Sequence, residues 1–353
     1  MRTLYENADY RADLDRLASL PLPWERFANK NVLLSGAGGM IGSVFVDTLM
    51  VKNREGLGCR IFALTRDLDA ASARFSLWTE DRRLQILPCD VNRPLDLPLG
   101  RADFVLHLAS NTHPMQYASS PVATVMTNVL GLDHLLSFAA EHGAERFAFA
   151  SSNEIYGNSR EDVPFREDDL GYLNCNTLRA GYPESKRCGE ALCQAYRAET
   201  GLDVVIPRFT RSYGPTMRVS DTKALSQFIK KAAAGEDIVL KSAGEQHYSF
   251  THASDAAAGL LYVLMLGQCG EAYNVADEAS DARLRDAAAI CAAAAGTRVV
   301  FDVPEESESR GYSTAVNARL CGDKLKALGW RAWYTLQTGL ESTITALRES
   351  GRV

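Results

Sequence analysis

Residues 31–50, "NVLLSGAGGMIGSVFVDTLM", place a continuous apolar run, a glycine-rich turn and an apolar helical pattern in immediate succession. A short run that is apolar throughout suits a strand buried on both faces, as in a parallel sheet. Gly36, Gly39 and Gly42 form a GxxGxxG pattern between that strand and the helix. Such glycines permit a tight turn and let the backbone approach a pyrophosphate, while the helix start offers free N–H groups and a positive dipole end. The stretch therefore reads as a dinucleotide-binding loop, with Gly36, Gly39, Met40, Ile41 and Gly42 as its cofactor-binding positions.

The alternation continues. "CRIFALT", "LQILPCD", "ADFVLHLAS", "RFAFASS" and "LDVVIPRF" read as strands, separated by the helical stretches "DAASARFSLW", "VATVMTNVLGLDHLLSFAAEHG" and the residues from 182 to about 200. Apolar strands alternating with helices predict an α/β protein with a Rossmann-type doubly wound parallel sheet. After residue 210 the pattern loosens, which predicts a smaller C-terminal substrate-binding lobe. The predicted division is an extension at 1–30, a nucleotide-binding domain at 31–207 plus about 247–276, and a second lobe at 208–246 plus 277–353. In the extension, Leu14, Leu17 and Leu20 recur at helical spacing, with Trp24 and Phe27 as anchors. No function is assigned to it.

Composition narrows the function. A formal charge of −6 argues against a nucleic-acid binder. No apolar run reaches the roughly 20 residues needed to cross a bilayer. The N-terminus has mixed charge and no apolar core of a secretion signal. Eight cysteines are scattered without CxxC pairs, and six histidines show no HExxH pattern. That usage fits reduced thiols in a cytoplasmic protein and predicts no metal site.

The second strand ends "ALTRD", with Thr65 and Arg66 at its tip. A carboxylate there would bind the ribose of NAD, whereas an arginine can pair with the 2′-phosphate of NADP or stack on adenine. The cofactor is NAD or NADP, and Arg66 favours NADP. Asp90, with Val91 after it, closes the third strand where a carboxylate can accept from the adenine amine.

Tyr182 and Lys186, four apart in "RAGYPESKRCGE", share one helix face. A neighbouring ammonium favours phenolate, so Tyr182 is a candidate general base. Three further stretches lie beyond the carboxyl ends of strands, where open α/β sheets bind ligands. They are "HLASNTHP" (107–114), "ASSNEIYG" (150–157) and "SYGP" (212–215). The first contributes Leu108, Ala109, Ser110 and His113.

GxxGxxG, SSNEIYG, YxxxK and YGP in this order resemble the extended short-chain dehydrogenase/reductases, which modify nucleotide sugars. The resemblance covers about 31–335. It implies that Tyr182 takes a proton from the sugar 4-hydroxyl, that Lys186 binds the nicotinamide ribose, and that Ser152 bonds the same sugar oxygen. Hydride leaves C4, giving a 4-keto sugar. Asn128 matches a position that supports the active site. Glu154, two before Tyr156, matches relatives that carry out chemistry at C5 or C6. The family's usual closing hydride return and its dimerisation through the YxxxK helix and the long helix before it are also implied. Leu192, Tyr196, Leu132 and Leu136 could form that homodimer seam, or simply pack in the core.

Within the family, "LRAGYPESKRCGEAL" and "YGPTMRVSDTKALSQFI" look most like UDP-glucuronate decarboxylases, and Arg179 matches an arginine of that group. The alternatives are a nucleotide-sugar 4,6-dehydratase, then an epimerase, then a non-catalytic cofactor sensor. Two positions depart from the decarboxylases. Asn153 stands where they carry serine, and Tyr248 where they carry an arginine that serves substrate anions. Arg211 replaces the usual asparagine before YGP and could restore the lost charge at the diphosphate. Arg310 matches the late diphosphate-binding arginine.

Overall fold

The computed structural model describes residues 3–110, 119–158, 162–302 and 317–351. Helix α1 (Ala8–Ala18) precedes β1 (Asn31–Ser35), which leads through the glycine turn into α2 (Met40–Arg54). Next come β2 (Arg60–Thr65), α3 (Leu68–Arg74), β3 (Leu84–Pro88), β4 (Phe104–His107) and the long α4 (Pro121–Glu141). They are followed by β5 (Arg146–Phe149), the short β6 (Ser151–Ser152), α5 (Gly181–Thr200), β7 (Val204–Phe209) and β8 (Arg211–Tyr213). Beyond these lie α6 (Ala224–Ala234), β9 (Ile238–Leu240), β10 (His247–His252), α7 (Ala253–Leu266), β11 (Ala272–Val275) and β12 (Asp281–Arg283). Helix α8 (Leu284–Ala295), β13 (Val299–Phe301), β14 (Asn317–Ala318), α9 (Asp323–Ala327) and α10 (Leu336–Ser350) complete the described elements.

The apolar runs became the central strands. The main sheet has the order β11-β7-β5-β4-β1-β2-β3, with β6 added beside β7, and its pairs are parallel. Strand order reverses between β1 and β4, the switch point at which such sheets bind ligands. Helices cover both faces. One core holds α1, α2 and α7 against the sheet, and another holds α4 and α5. A separate core joins α6, α8 and α10 to a second sheet, in which β10 lies between β12 and β14 and also pairs with β8. The "HYSF" stretch, which holds Tyr248, lies in strand β10.

Three local expectations change. The helix predicted over 69–78 stops at Arg74, because Phe75 and Trp78 turn inward and the Trp78 indole donates to Asp47 at 2.8 Å. Leu132 and Leu136 are fully buried on the inward face of α4, so these two pack in the core, whereas Leu192 and Tyr196 are half-buried against the same core. The outward apolar residues of α4 are Val122, Met126 and Leu130. Finally, α4 is long and apolar enough to cross a membrane, with mean hydropathy 1.3, although the sequence seemed to hold no such run. Half of it is buried, with Leu132, Leu135 and Leu136 inward.

One carboxylate ties the extension to α2. Asp47 of α2 is fully buried and accepts from Tyr5 Oη (2.7 Å), Tyr10 Oη (2.5 Å), Trp78 Nε1 (2.8 Å) and Arg74 Nη2 (2.6 Å). Removing one partner of a buried ion pair strands the other charge. Asp47→Ala should therefore destabilise the protein by about 3–5 kcal/mol, read as a lower urea midpoint. A midpoint equal to wild type would show that the four donors find other partners.

Candidate active site

The glycine turn meets the switch point directly. Gly36 has φ +74°, and a Cβ there would lie 2.6 Å from Ala109 N and from Leu108 C. A Cβ on Gly42 would lie 2.4 Å from the Gly36 oxygen. Backbone therefore packs on backbone where the sheet changes direction, and no side chain fits. The Ser35 hydroxyl reinforces the join, lying 2.7 Å from His107 Nδ1 and accepting from Ala109 N–H at 3.3 Å. Gly39 caps α2 without a side chain, and a Cβ on Gly38 would meet nothing within 4 Å. The first-turn N–H groups, at Met40 and Ile41, have no partner within the helix and suit a pyrophosphate.

Thr65, Arg66 and Asp90 lie on the other side of β1 from Tyr182, at the tips of β2 and β3. Thr65 Oγ1 is engaged with Asp67, and Asp67 caps α3 by accepting from Ala70 N–H at 2.9 Å. Arg66 is exposed. Asp90 accepts from Asn92 N–H at 3.1 Å, and the Val91 carbonyl lies 2.8 Å from His134 Nδ1.

On the β4–β5–β6 side the predicted residues converge. Tyr182 is buried in the first turn of α5, and its phenol is hydrogen-bonded by Ser152 and Ser110. Ser110 Oγ donates its one proton to Asn128 Oδ1 (2.8 Å), and Asn128 Nδ2 donates to Ser185 Oγ (2.9 Å). Ser185 then donates to the Tyr182 carbonyl at 2.8 Å, closing a ring around the start of α5. Glu154 pairs with Arg179 at 2.6 Å. Asn153 is buried beside Ser152, their side-chain oxygens 3.5 Å apart. Lys186 donates to the Ala150 carbonyl at 2.7 Å and lies 4.6 Å from the Phe149 ring centre.

The electrostatics differ from the sequence expectation. Burial, and then the Glu154 carboxylate, push the Tyr182 phenol above its ordinary value; the bonds from Ser152 and Ser110 and the Arg179 charge act against this. Lys186 is not the dominant influence, because burial lowers its own pKa to about 7 and with it much of its charge.

Arg211 and Tyr248 form a separate pair on the second sheet, the guanidinium carbon 3.4 Å from the ring centre. His113 and Arg310 fall outside the described residues. The sequence reading missed Ser185, although it stands inside YPESK, three after Tyr182 on the same helix. It also missed Glu190, which receives Ser151 Oγ at 2.5 Å and pairs with Arg208 at 2.7 Å. That pair ties α5 to β7 beneath the site, and only a strand register could have revealed it.

The family model described as "NAD dependent epimerase/dehydratase family" matches residues 32–276. The chain belongs to this family. It is an NAD(P)-dependent enzyme, and the relatives agree with the motif reading. A UDP-glucuronic acid decarboxylase 1 of Xenopus tropicalis is 28% identical over 322 residues, 91% of this chain and 72% of the relative. UDP-glucuronic acid decarboxylase 5 of Arabidopsis thaliana is 33% identical over 246 residues, 69% of this chain and 70% of its own length. In fold, this epimerase/dehydratase is similar to a dTDP-glucose 4,6-dehydratase of Streptomyces venezuelae, with TM-score 0.77 and 24% identity, covering 90% of this chain and 97% of that one.

The buried amine makes a pH prediction. The folded value of Lys186, about 7, lies below its ordinary 10.5. Between the two, the unfolded chain binds a proton that the folded chain does not, so stability rises with pH across that window. Lys186→Met should flatten this rise in urea unfolding followed from pH 7 to pH 10.5. Parallel wild-type and variant curves would mean the amine keeps its charge.

Proposed function

We propose that this enzyme decarboxylates a UDP-linked uronic acid by way of oxidation at sugar C4. The observation that carries the reading is Glu154, held against Arg179 at 2.6 Å and close enough to the Tyr182 phenol to raise its pKa. A carboxylate in that place is positioned for C5, the carbon next to a C4 ketone. The similarity to UDP-glucuronic acid decarboxylases supports the substrate class.

A bound oxidised nicotinamide would supply the hydride acceptor for C4. Ser152 and Tyr182 bond the 4-oxygen, and Tyr182 takes its proton. Lys186, buried behind them, keeps donors in reach of a ribose hydroxyl. A 6-carboxylate β to the new ketone is released as CO2: the C5–C6 bond breaks and its electron pair forms the enolate. Glu154 manages the proton that C5 then needs, and the Arg179 guanidinium holds its carboxylate in place. Dehydration would share Glu154, but the Asn153 amide has no acidic proton to give in place of the aspartic acid that some dehydratases use for the departing 6-hydroxyl.

The tip of β2 favours NADP. Asp67 is spent on the α3 cap, which leaves the exposed Arg66 as the group for a 2′-phosphate. The exposed Val122, Met126 and Leu130 on α4 suit a homodimer contact.

Mass spectrometry of products from UDP-glucuronate, dTDP-glucose, GDP-mannose and CDP-glucose, each with NAD+ and NADP+, tests the reaction. Loss of CO2 from UDP-glucuronate is expected, and Glu154→Gln should slow it by about a hundredfold. Loss of water from a hexose would instead make the enzyme a dehydratase. For the cofactor, Arg66→Ala should weaken NADP+ binding roughly tenfold and leave NAD+ unchanged. Equal effects on both would reduce Arg66 to adenine stacking.

A further inference from the structure

Arg211 and Tyr248 stand 37 positions apart in sequence, yet strand pairing makes them neighbours. β8 and β10 run parallel, with Arg211 opposite Phe250. Tyr248 is two residues before Phe250, so both project from the same face of β10. The guanidinium lies over the buried Tyr248 ring at 3.4 Å, and its Nη1 is buried with no hydrogen-bond partner among the described residues. A buried guanidinium N–H without a partner is unfavourable in isolation. Stacking holds the guanidinium plane but does not satisfy that donor. An anionic oxygen would satisfy it.

The position is near the chemistry. Ser152 pairs with Phe209 across β6 and β7. Arg211 follows two residues later, roughly 7 Å of strand rise beyond Ser152's register partner. The pair therefore lies on the same side as the Tyr182 group and away from the β2 and β3 tips.

We infer that Tyr248 is a positioning residue for Arg211, and that the stacked pair forms the substrate's diphosphate-binding clamp. This rests on the nucleotide-sugar reading and deepens it. An arginine supplied by β8 and braced by an aromatic ring on β10 does the work. Tyr248 is then no loss at an anion site: its ring fixes the plane in which Arg211 presents two parallel N–H groups, the geometry a phosphate accepts. Lysine at 211 would bring the charge without the plane.

The test is calorimetric titration of the full chain with UDP, dTDP, GDP and CDP, followed by the diphosphate that wild type binds best. Arg211→Ala should weaken it about a hundredfold, and Tyr248→Leu roughly tenfold. Tyr248→Phe should bind as wild type does. The double variant Arg211→Ala/Tyr248→Leu should be no weaker than Arg211→Ala, because Tyr248 acts only through the arginine. Cofactor affinity should stay constant throughout, and turnover should show a raised KM with little change in kcat.

Unchanged affinity in Tyr248→Leu, or additive losses in the double variant, would overturn the inference. If Tyr248→Leu does not fold, Arg211→Lys decides: a loss of roughly tenfold supports the clamp, and full affinity refutes it. The two readings fail separately. Wild type that binds none of the four diphosphates removes the nucleotide-sugar reading and the clamp together. Wild type that binds one, with affinity indifferent to these substitutions, removes the clamp alone.

Discussion

The backbone contact between Gly36 and Leu108–Ala109 sets the rest of the site. β1 and β4 are paired neighbours whose following connections run to opposite sides of the sheet, and the turn after β1 lies across the tip of β4 with no room for a Cβ. That contact fixes where α2 begins, and so where its unpaired N–H groups point. It also fixes the end of β4, from which Ser110 reaches both Asn128 and the Tyr182 phenol. The glycine turn and the polar cluster around Tyr182 are thus two consequences of one close approach.

Around Tyr182 the fold sets burial against charge. The phenol and the Lys186 amine are both buried, and burial drives their pKa values apart: the phenol up, the amine down to about 7. A carboxylate beside the phenol, Glu154, raises it further, and Arg179 opposes that effect while pairing with the carboxylate. The arrangement favours a Tyr182 that keeps its proton until a further positive charge arrives.

Much of this was legible because it is local or periodic. Apolar runs gave the strands and 3.6-residue spacing gave the helices; Tyr182, Ser152 and Glu154 come together from strand and helix ends, and Asn128, singled out by the resemblance, joins them from within α4. What escaped depends on registers between distant segments. Arg211 and Tyr248 carried no mutual signal until β8 paired with β10. Asp47 gathers donors from Tyr5, Tyr10, Arg74 and Trp78, none at a spacing that helical or strand periodicity would flag. The inward turn of Trp78 toward that carboxylate also ended a helix the pattern would have continued. The pKa order failed for a related reason: helical spacing reports proximity, and burial decided the outcome.

The N-terminal segment gains its meaning from the same long-range contacts. Asp13 of α1 accepts from Ser254 of α7 at 2.6 Å and from the Tyr334 hydroxyl at 2.9 Å. Asp255, beside Ser254, accepts from the N–H groups of Trp333 and Tyr334 at 2.8 and 3.2 Å. Residues 333 and 334 lead directly into α10, which packs in the core of the second sheet, and Asn7 donates to Glu349 at the far end of that helix at 2.8 Å. The extension therefore grips α2 through Asp47 and α10 through Asp13 and Asn7. Thr216, just past YGP, adds a bond at 2.9 Å to the Met40 carbonyl in the first turn of α2. The helix that opens the phosphate loop is thus connected at both its start and its middle to elements that carry or brace the β8–β10 sheet. The distance between the cofactor loop and the Arg211–Tyr248 pair is consequently set by buried polar contacts rather than by a flexible connection.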